Sequence, residues 1–240
     1  MKVAVALGLI ALAPVSARAA GNGTAALYAT HCASCHGSRG QGSPSGPSLI
    51  GKSAALVHFM LDSGRMPAPG PDVNEIPREP VFTYAEIDRL TRYVVALSPH
   101  PGDAALPIVT SGNPARGRKL FVENCAQCHG AAGDGASVGS DNVAPNLATA
   151  TVFQIGEAIR SGPGVMPRFG RDVLSDRDVD DIAYYVNFIE THAASPNGPN
   201  AGGFSLAHAG PVGEGFVAWL FGIGALVLFV RAIGTAGKDA

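Results

Sequence analysis

Lysine is the scarcest charged residue in this chain. Only four occur among 240 residues: Lys2, Lys52, Lys119 and Lys238. No extended basic run is present, and the formal net charge is −2. Nucleic-acid binding needs a clustered positive surface, so this composition argues against a nucleic-acid partner.

Cysteine is absent outside two short motifs that lie 93 positions apart. Both read Cys-x-x-Cys-His, at Cys32 to His36 and at Cys125 to His129. Because the motifs use all four cysteines, no thiol remains for a disulfide framework. Zinc is an alternative on ligand type, since the motifs together offer six donors. Structural zinc takes four donors per ion, however, and neither motif has an obvious fourth Cys or His nearby.

The spacing within each motif is typical of covalent haem attachment. Two thiols three positions apart on one helical turn can be alkylated by the two vinyl groups of one haem, and the adjacent imidazole then lies beneath the iron. The sequence therefore predicts two covalently bound haem c groups. The attachment residues are Cys32, Cys35, Cys125 and Cys128, and the proximal iron ligands are His36 and His129.

The segments around the motifs repeat as well. A Leu-aromatic pair precedes each motif by one helical turn, and glycines recur after each histidine at matching offsets. Further on, Pro47 and Pro145 stand in matching places. We predict that the carbonyl of each proline accepts a hydrogen bond from the proximal histidine ring and fixes its tautomer, although an ordinary turn proline is the alternative.

Two of the four methionines also occupy matching positions, each before a proline. Met66 and Met166 are predicted to be the distal iron ligands, where a thioether sulfur raises the reduction potential. Met60 lies in an apolar helical run and is interpreted as core. Rarer substitutes for the distal ligands are His58, His100, His192 and His208.

Each repeat closes with an amphipathic helix that begins at a hydroxyl and carries a carboxylate three residues later, at Thr83 and at Ser175. The predicted fold is mainly α, with two tandem class I-like cytochrome c domains followed by one C-terminal transmembrane helix. The predicted ranges are domain 1 at 20–98, a linker at 99–114 and domain 2 at 115–194.

The N-terminus reads as a secretory signal. One lysine precedes a short apolar run that cannot cross a hydrocarbon core of about 30 Å, and small residues follow it. We predict a signal peptide at 1–19 with cleavage after Ala19; an uncleaved anchor is the alternative.

The C-terminus carries a longer apolar run. We predict a Gly/Pro-rich connector at 195–212, a transmembrane helix at 213–233 and a cytoplasmic tail at 234–240. Glu214 precedes the span, while Arg231 and Lys238 follow it. Positive charge favours the cytoplasmic side, so both haem domains are predicted on the outer face of the cell membrane.

With these motifs in place, the chain resembles the dihaem cytochrome c subunit of actinobacterial cytochrome bc complexes, the quinol:cytochrome c reductases. The more particular parts of the likeness are Gly64-Arg-Met-Pro67 and the Gly210-Pro-x-x-Glu-Gly entry to the anchor. Others are Gly46 to Gly51, Tyr184 to Val186, and Trp219 within the apolar run.

The resemblance implies cytochrome b and Rieske iron–sulfur subunits as partners. Electrons would leave a quinol through the Rieske protein, enter one haem, pass to the other and continue to a terminal oxidase. The chain would then be the electron-transfer subunit of an oxidoreductase complex, with no bond-making catalysis of its own. Many soluble carriers dock through a ring of lysines, and the scarcity of lysine favours permanent association instead.

Three other functions fit parts of the sequence. An electron-acceptor subunit of a periplasmic dehydrogenase would have much the same motifs. A dihaem peroxidase or gas sensor needs an open or labile iron position, which two Met-Pro loops argue against. A haem-free zinc or thiol protein is the third.

Overall fold

The computed structural model describes residues 17–70, 77–100, 105–140, 142–193 and 210–236. Most of the predicted signal peptide, residues 101–104 of the predicted linker, most of the connector and the last four residues lie outside these ranges. The first described helix begins at Ala17 and continues past the predicted cleavage point after Ala19. The chain divides between Ala105 and Leu106 into two compact units.

The first unit is built from helices around a small apolar core. They are α1 (Ala17–His31), α2 (Ala33–His36), α3 (Ala54–Asp62) and α4 (Tyr84–Ala96). Helix α4 begins as predicted, since the backbone N–H of Thr83 donates to the Glu86 carboxylate at 2.9 Å. The buried core comprises Tyr28, Val57, Leu61, Phe82, Ile87, Leu90 and Val94. Helices α1 and α4 meet at Tyr28 and Tyr93, whose ring centroids lie 5.3 Å apart.

The second unit has the same helix order and a larger core. Its elements are α5 (Pro114–Asn124), α6 (Ala126–His129), β1 (Ala136–Gly139), β2 (Asn142–Ala144), α7 (Val152–Ser161), α8 (Asp176–Ala193) and α9 (Gly210–Ala236). Helix α8 has the predicted reciprocal cap, with Ser175 N–H donating to Asp178 at 2.8 Å and Asp178 N–H to the Ser175 hydroxyl at 3.2 Å. The apolar stripe predicted along α8 is buried, at Val179, Ile182, Val186 and Ile189.

A two-stranded hairpin, which the sequence did not predict, lies within the mainly α fold of the second unit. Strands β1 and β2 pair antiparallel, with Ala136 opposite Ala144. The separation of histidine from proline is 11 residues in the first unit and 16 in the second. The extra residues of the second unit form this hairpin and pair their backbone groups with one another. The side chains of Ala136 to Ala144 are mainly small, so they gave no strand pattern from which the hairpin could be predicted.

Helices α5 and α8 pack closely because Gly117 faces the backbone of α8. A Cβ at Gly117 would collide with the carbonyl of Asp181 and lie 2.8 Å from Tyr185 Cβ. Polar contacts tie the same crossing: Arg116 pairs with Asp178 and, at 2.5 Å, with the buried carboxylate of Asp181. The backbone N–H of Asn113 also donates to Asp181 at 2.6 Å.

Gly117→Ala should therefore destabilise the second unit by about 1–3 kcal/mol through overpacking against backbone that cannot yield. Gly23→Ala is the control, because Gly23 lies within α1 and a Cβ added there would have no neighbour within 4 Å. It should gain about 0.5–1 kcal/mol from helix propensity. Thermal unfolding followed by circular dichroism separates the two, and equal effects at both glycines would refute the close crossing.

Helix α9 covers the predicted transmembrane segment and extends three residues beyond it at each end. Its most apolar stretch is Gly215–Ile233, 19 residues with a mean hydropathy of 2.3. At 1.5 Å per residue this stretch is roughly 28 Å long, which matches a hydrocarbon core of about 30 Å. None of the stretch is buried against the rest of the described chain. Length, composition and exposure all fit a membrane span.

Candidate haem-binding sites

Each Cys-x-x-Cys-His motif forms one turn of helix after a bend in the chain. The bend lies at the first cysteine, with φ −122° at Cys32 and −120° at Cys125. The turn closes when the histidine N–H donates to the carbonyl of that cysteine, at 2.9 Å in both units. The two thiols and the imidazole of a motif therefore leave one compact turn, as attachment to a single haem requires.

The four cysteines all lie in the described ranges, and none forms a disulfide. Burial, reinforced by the neighbouring thiol, raises the pKa of Cys32 and of Cys125 to about 11, so both are neutral thiols in the haem-free chain. Among the described residues, no three His, Cys, Asp or Glu side chains gather as a metal-binding group.

The histidine of each motif contacts the proline that the sequence analysis paired with it. His36 Nδ1 lies 2.7 Å from the carbonyl oxygen of Pro47, and His129 Nδ1 lies 3.0 Å from that of Pro145. A carbonyl oxygen can only accept, so Nδ1 must carry the proton in both rings. The lone pair of Nε2 is then available for a metal, and the carbonyl strengthens the ring as a ligand. The chemistry of this donor set fits haem iron.

A glycine brings the proline segment close to each motif. The N–H of Gly135 donates to the His129 carbonyl at 2.8 Å, and its φ of +81° favours glycine. A Cβ at Gly135 would lie 2.5 Å from the carbonyl oxygen of Ala144 and 2.9 Å from the backbone of Pro145. The loop can follow this path only without a side chain there.

Gly135→Ala should displace the Pro145 carbonyl from His129 and lower haem retention by the second unit. Gly130→Ala is a matched control, because its φ is +77° but a Cβ there meets nothing closer than 3.7 Å. Both variants place a side chain at a positive φ, which costs on the order of 1–3 kcal/mol, and only Gly135→Ala adds a collision. Haem content per chain, from the pyridine haemochrome spectrum, should fall further for Gly135→Ala. The same loss in both variants would count against the steric account.

Met66 and Met166 lie on corresponding loops of the two units. Each follows a glycine with a φ of +63°, Gly64 or Gly162, and each packs partly buried against the apolar core of its own unit. Met60, interpreted as core, is only half-buried on α3. Among the suggested substitutes, His58 is half-buried on α3 and His100 is exposed, while His208 lies outside the described residues.

Two protein-family models match the chain, one on each unit. The model described as "Cytochrome c" matches residues 22–98, and that described as "Cytochrome C oxidase, cbb3-type, subunit III" matches residues 112–186. The cytochrome bc1 complex cytochrome c subunit of Mycobacterium tuberculosis is 38% identical over 218 residues, covering 88% of this chain and 74% of that protein. The chain belongs to the family of cytochrome bc1 complex cytochrome c subunits.

A second family member, from Corynebacterium diphtheriae, is 34% identical over 227 residues, covering 87% of this chain and 78% of the relative. The Cbb3-type cytochrome c oxidase subunit CcoP of Azospirillum is a more distant relative, 30% identical over 187 residues, covering 69% of this chain and 60% of the relative. As a cytochrome c subunit, the chain transfers electrons through covalently bound haem c, and α9 makes it a membrane-anchored protein.

A buried arginine that the sequence did not predict lies beside the second methionine loop. Arg160 is the second-last residue of α7 and is 8% exposed. One feature of the sequence could have identified it. A charged residue stands directly before the Ser-Gly pair at the end of α3 and of α7; this residue is Asp62 in the first unit and Arg160 in the second. Charged residues are seldom buried unless they are paired, so burial at this position implies partners.

Proposed function

We propose that this chain carries single electrons from the Rieske centre of a quinol:cytochrome c reductase toward a terminal oxidase. The observation that carries the proposal is the duplicated site, in which a Cys-x-x-Cys-His turn and a histidine–proline contact recur in both units. Haem supplies reversible one-electron chemistry when bound. The residues of the chain attach it, orient its ligand and shield it from water.

Each unit would hold one haem c, giving two in total, in tandem class I-like domains at 20–98 and 115–194. Cys32 and Cys35 attach the first, and Cys125 and Cys128 attach the second. His36 and His129 are the proximal ligands, held by the carbonyls of Pro47 and Pro145. Met66 and Met166 complete the two sites from loops that pack on the same cores.

The family supports the choice of partners. Its members are named as subunits of the cytochrome bc1 complex, which favours cytochrome b and Rieske subunits as companions here. Likeness to an oxidase subunit in the same chain favours a contact with a terminal oxidase. Of the four lysines, only Lys52 and Lys119 lie in the proposed haem units, so a lasting complex suits this composition better than free diffusion.

The charges around α9 support one orientation. Glu214 precedes the apolar stretch, and Arg231 and Lys238 follow it, which favours a cytoplasmic C-terminus with both haem units on the outer face. The signal peptide proposed at 1–19 would deliver the N-terminal part to that face. Attachment of haem c outside the cytoplasm agrees with this topology.

Affinity purification of the tagged chain from mildly solubilised membranes tests the proposal. Cytochrome b and a Rieske protein should co-purify, and the preparation should oxidise a quinol. An oxidase in the same particle would extend the complex to oxygen reduction. Co-purification with a dehydrogenase and no cytochrome b would overturn the proposed complex and favour the dehydrogenase alternative. Carbon monoxide binding to the reduced, intact protein would favour a sensor or peroxidase.

A further inference from the structure

Arg160 makes three hydrogen bonds from a buried position at the end of α7. Its Nη1 donates to the carbonyl of Leu174 at 2.7 Å and to that of Phe169 at 3.1 Å, while Nη2 donates to Asp176 Oδ1 at 2.7 Å. Leu174 is itself buried, so its carbonyl is shielded from water and receives a charge-assisted hydrogen bond from the guanidinium. Arg160 therefore joins the last turns of α7 to the loop that leads to α8.

That loop carries Met166. Residues 162–175 connect α7 to α8. The part that follows Met166 forms two hydrogen bonds with backbone carbonyls at the end of α7, in addition to those made by the Arg160 side chain. The N–H of Phe169 donates to the Ile159 carbonyl at 3.0 Å, and Arg168 Nε donates to the Arg160 carbonyl at 3.1 Å. The hydrogen bond from Arg160 Nη1 to the Phe169 carbonyl is thus made three residues after Met166.

We propose that Arg160 is a positioning residue that holds the Met166 loop closed against the second haem. The inference rests on the proposed function, in which Met166 is the distal ligand. A single methionine sulfur is a weak, neutral ligand, so its occupancy of the iron depends on how firmly the loop is held. Arg160 supplies three charge-assisted bonds across the base of that loop. Hydrogen bonds from Arg171 and then Arg160 hold the pKa of Asp176 below its ordinary value, so the carboxylate stays ionised as a partner.

The first unit holds its methionine loop in another way. Asp62 stands where the second unit has Arg160, and the loop is tied instead by the N–H of Arg78, which donates to the Ser63 carbonyl at 3.1 Å. Arg65, directly before Met66, lies over the Phe59 ring with its guanidinium carbon 4.6 Å from the centroid. Changes at Arg160 should therefore affect one haem and leave the other unchanged.

The test is an imidazole titration of the ferric, detergent-solubilised full-length protein. Imidazole binds the iron only where the methionine has left it, so its apparent affinity measures loop opening. A Met66→His background removes the first haem from the titration, because histidine is a stronger ligand than methionine. In this background Arg160→Met should raise the apparent imidazole affinity about tenfold, as expected for losing charge-assisted hydrogen bonds.

Arg116→Met is the matched control, because the Arg116 guanidinium also pairs with carboxylates of the second unit, but these belong to Asp178 and Asp181 of α8 rather than to the Met166 loop. It should change the imidazole affinity less than twofold. Equal increases in both variants would assign the effect to general stability and overturn the positioning role, as would no change in Arg160→Met. Arg160→Lys keeps the charge but cannot reach three acceptors together. Arg160→Lys should raise the apparent imidazole affinity by less than Arg160→Met does. If Arg160→Met does not retain haem, Arg160→Lys is compared with Arg116→Met instead, and an equal effect or no effect overturns the positioning role.

A Met166→Ala variant separates the two hypotheses. If it leaves the iron–sulfur charge-transfer band of the second haem intact, Met166 is not the ligand and the proposed ligand set fails. If it abolishes the band while Arg160→Met leaves the imidazole affinity unchanged, the ligand set stands and only the role of Arg160 fails.

Discussion

Replacing Met166 by histidine should lower the midpoint potential of one haem by on the order of 0.2 V, within the ~0.8 V range that axial ligands span. Thioether sulfur stabilises ferrous iron, whereas a second imidazole donates more strongly and stabilises the ferric state. The iron–sulfur charge-transfer band should lose about half its intensity, because one of two proposed Met-ligated haems contributes to it. Met66→His should do the same to the other haem, and the double variant should lack the band.

The matched control for this prediction is Met60→Leu. Met60 lies half-buried on α3, six residues before Met66, and has no proposed ligand role. Its replacement should leave both potentials and the full band unchanged. Redox titration with optical detection gives the potentials and the band intensity together. An undiminished band in either histidine variant would show that the replaced methionine is not a ligand. Loss of the band in Met60→Leu would show that Met60 is a ligand in place of a proposed one.

Removing α9 should release the protein from the membrane. A chain that ends at residue 209 lacks the whole apolar stretch, and its ratio of membrane-bound to soluble protein should fall on the order of 100-fold or more. The haem units should still fold, because none of Gly215–Ile233 is buried against the rest of the described chain. Fractionation of cell extracts after an alkaline carbonate wash, which removes chains held at the membrane only by partner subunits, followed by a haem stain measures both.

A chain with α9 replaced by an unrelated transmembrane helix serves as the control, and it should return to the membrane fraction. If that chain also supports quinol oxidation, α9 is an anchor only; if it does not, α9 contributes contacts to the complex. A truncated chain that stays membrane-bound would contradict the single C-terminal anchor and favour an uncleaved N-terminal segment.

The sequence predicted those parts of the fold that depend on local chemistry. The Cys-x-x-Cys-His turns, the starts of α4 and α8 and the apolar stripe of α8 all follow from residues a few positions apart, so spacing alone predicts them. The histidine–proline contacts are longer in range, at 11 and 16 residues, but the repeat identified them by showing the same proline twice.

What could not be predicted depends on tertiary contacts or on small side chains. The β1–β2 hairpin consists mainly of Ala, Ser, Gly and Asn, which favour no strand by themselves and pair through backbone groups. The close α5–α8 crossing at Gly117 requires knowing which backbone lies opposite. Arg160 reaches carbonyls 9 and 14 residues away, and nothing in its local sequence shows that it is buried.

The most direct test of the central claim is anaerobic mixing of the purified membrane complex with excess quinol while haem c absorbance is followed. If the chain receives its electrons from the quinol, both haems of each chain become reduced, to the extent that dithionite achieves, and an inhibitor of quinol oxidation prevents this reduction. Haem c that stays oxidised with quinol but is reduced by dithionite would show that the chain receives its electrons elsewhere.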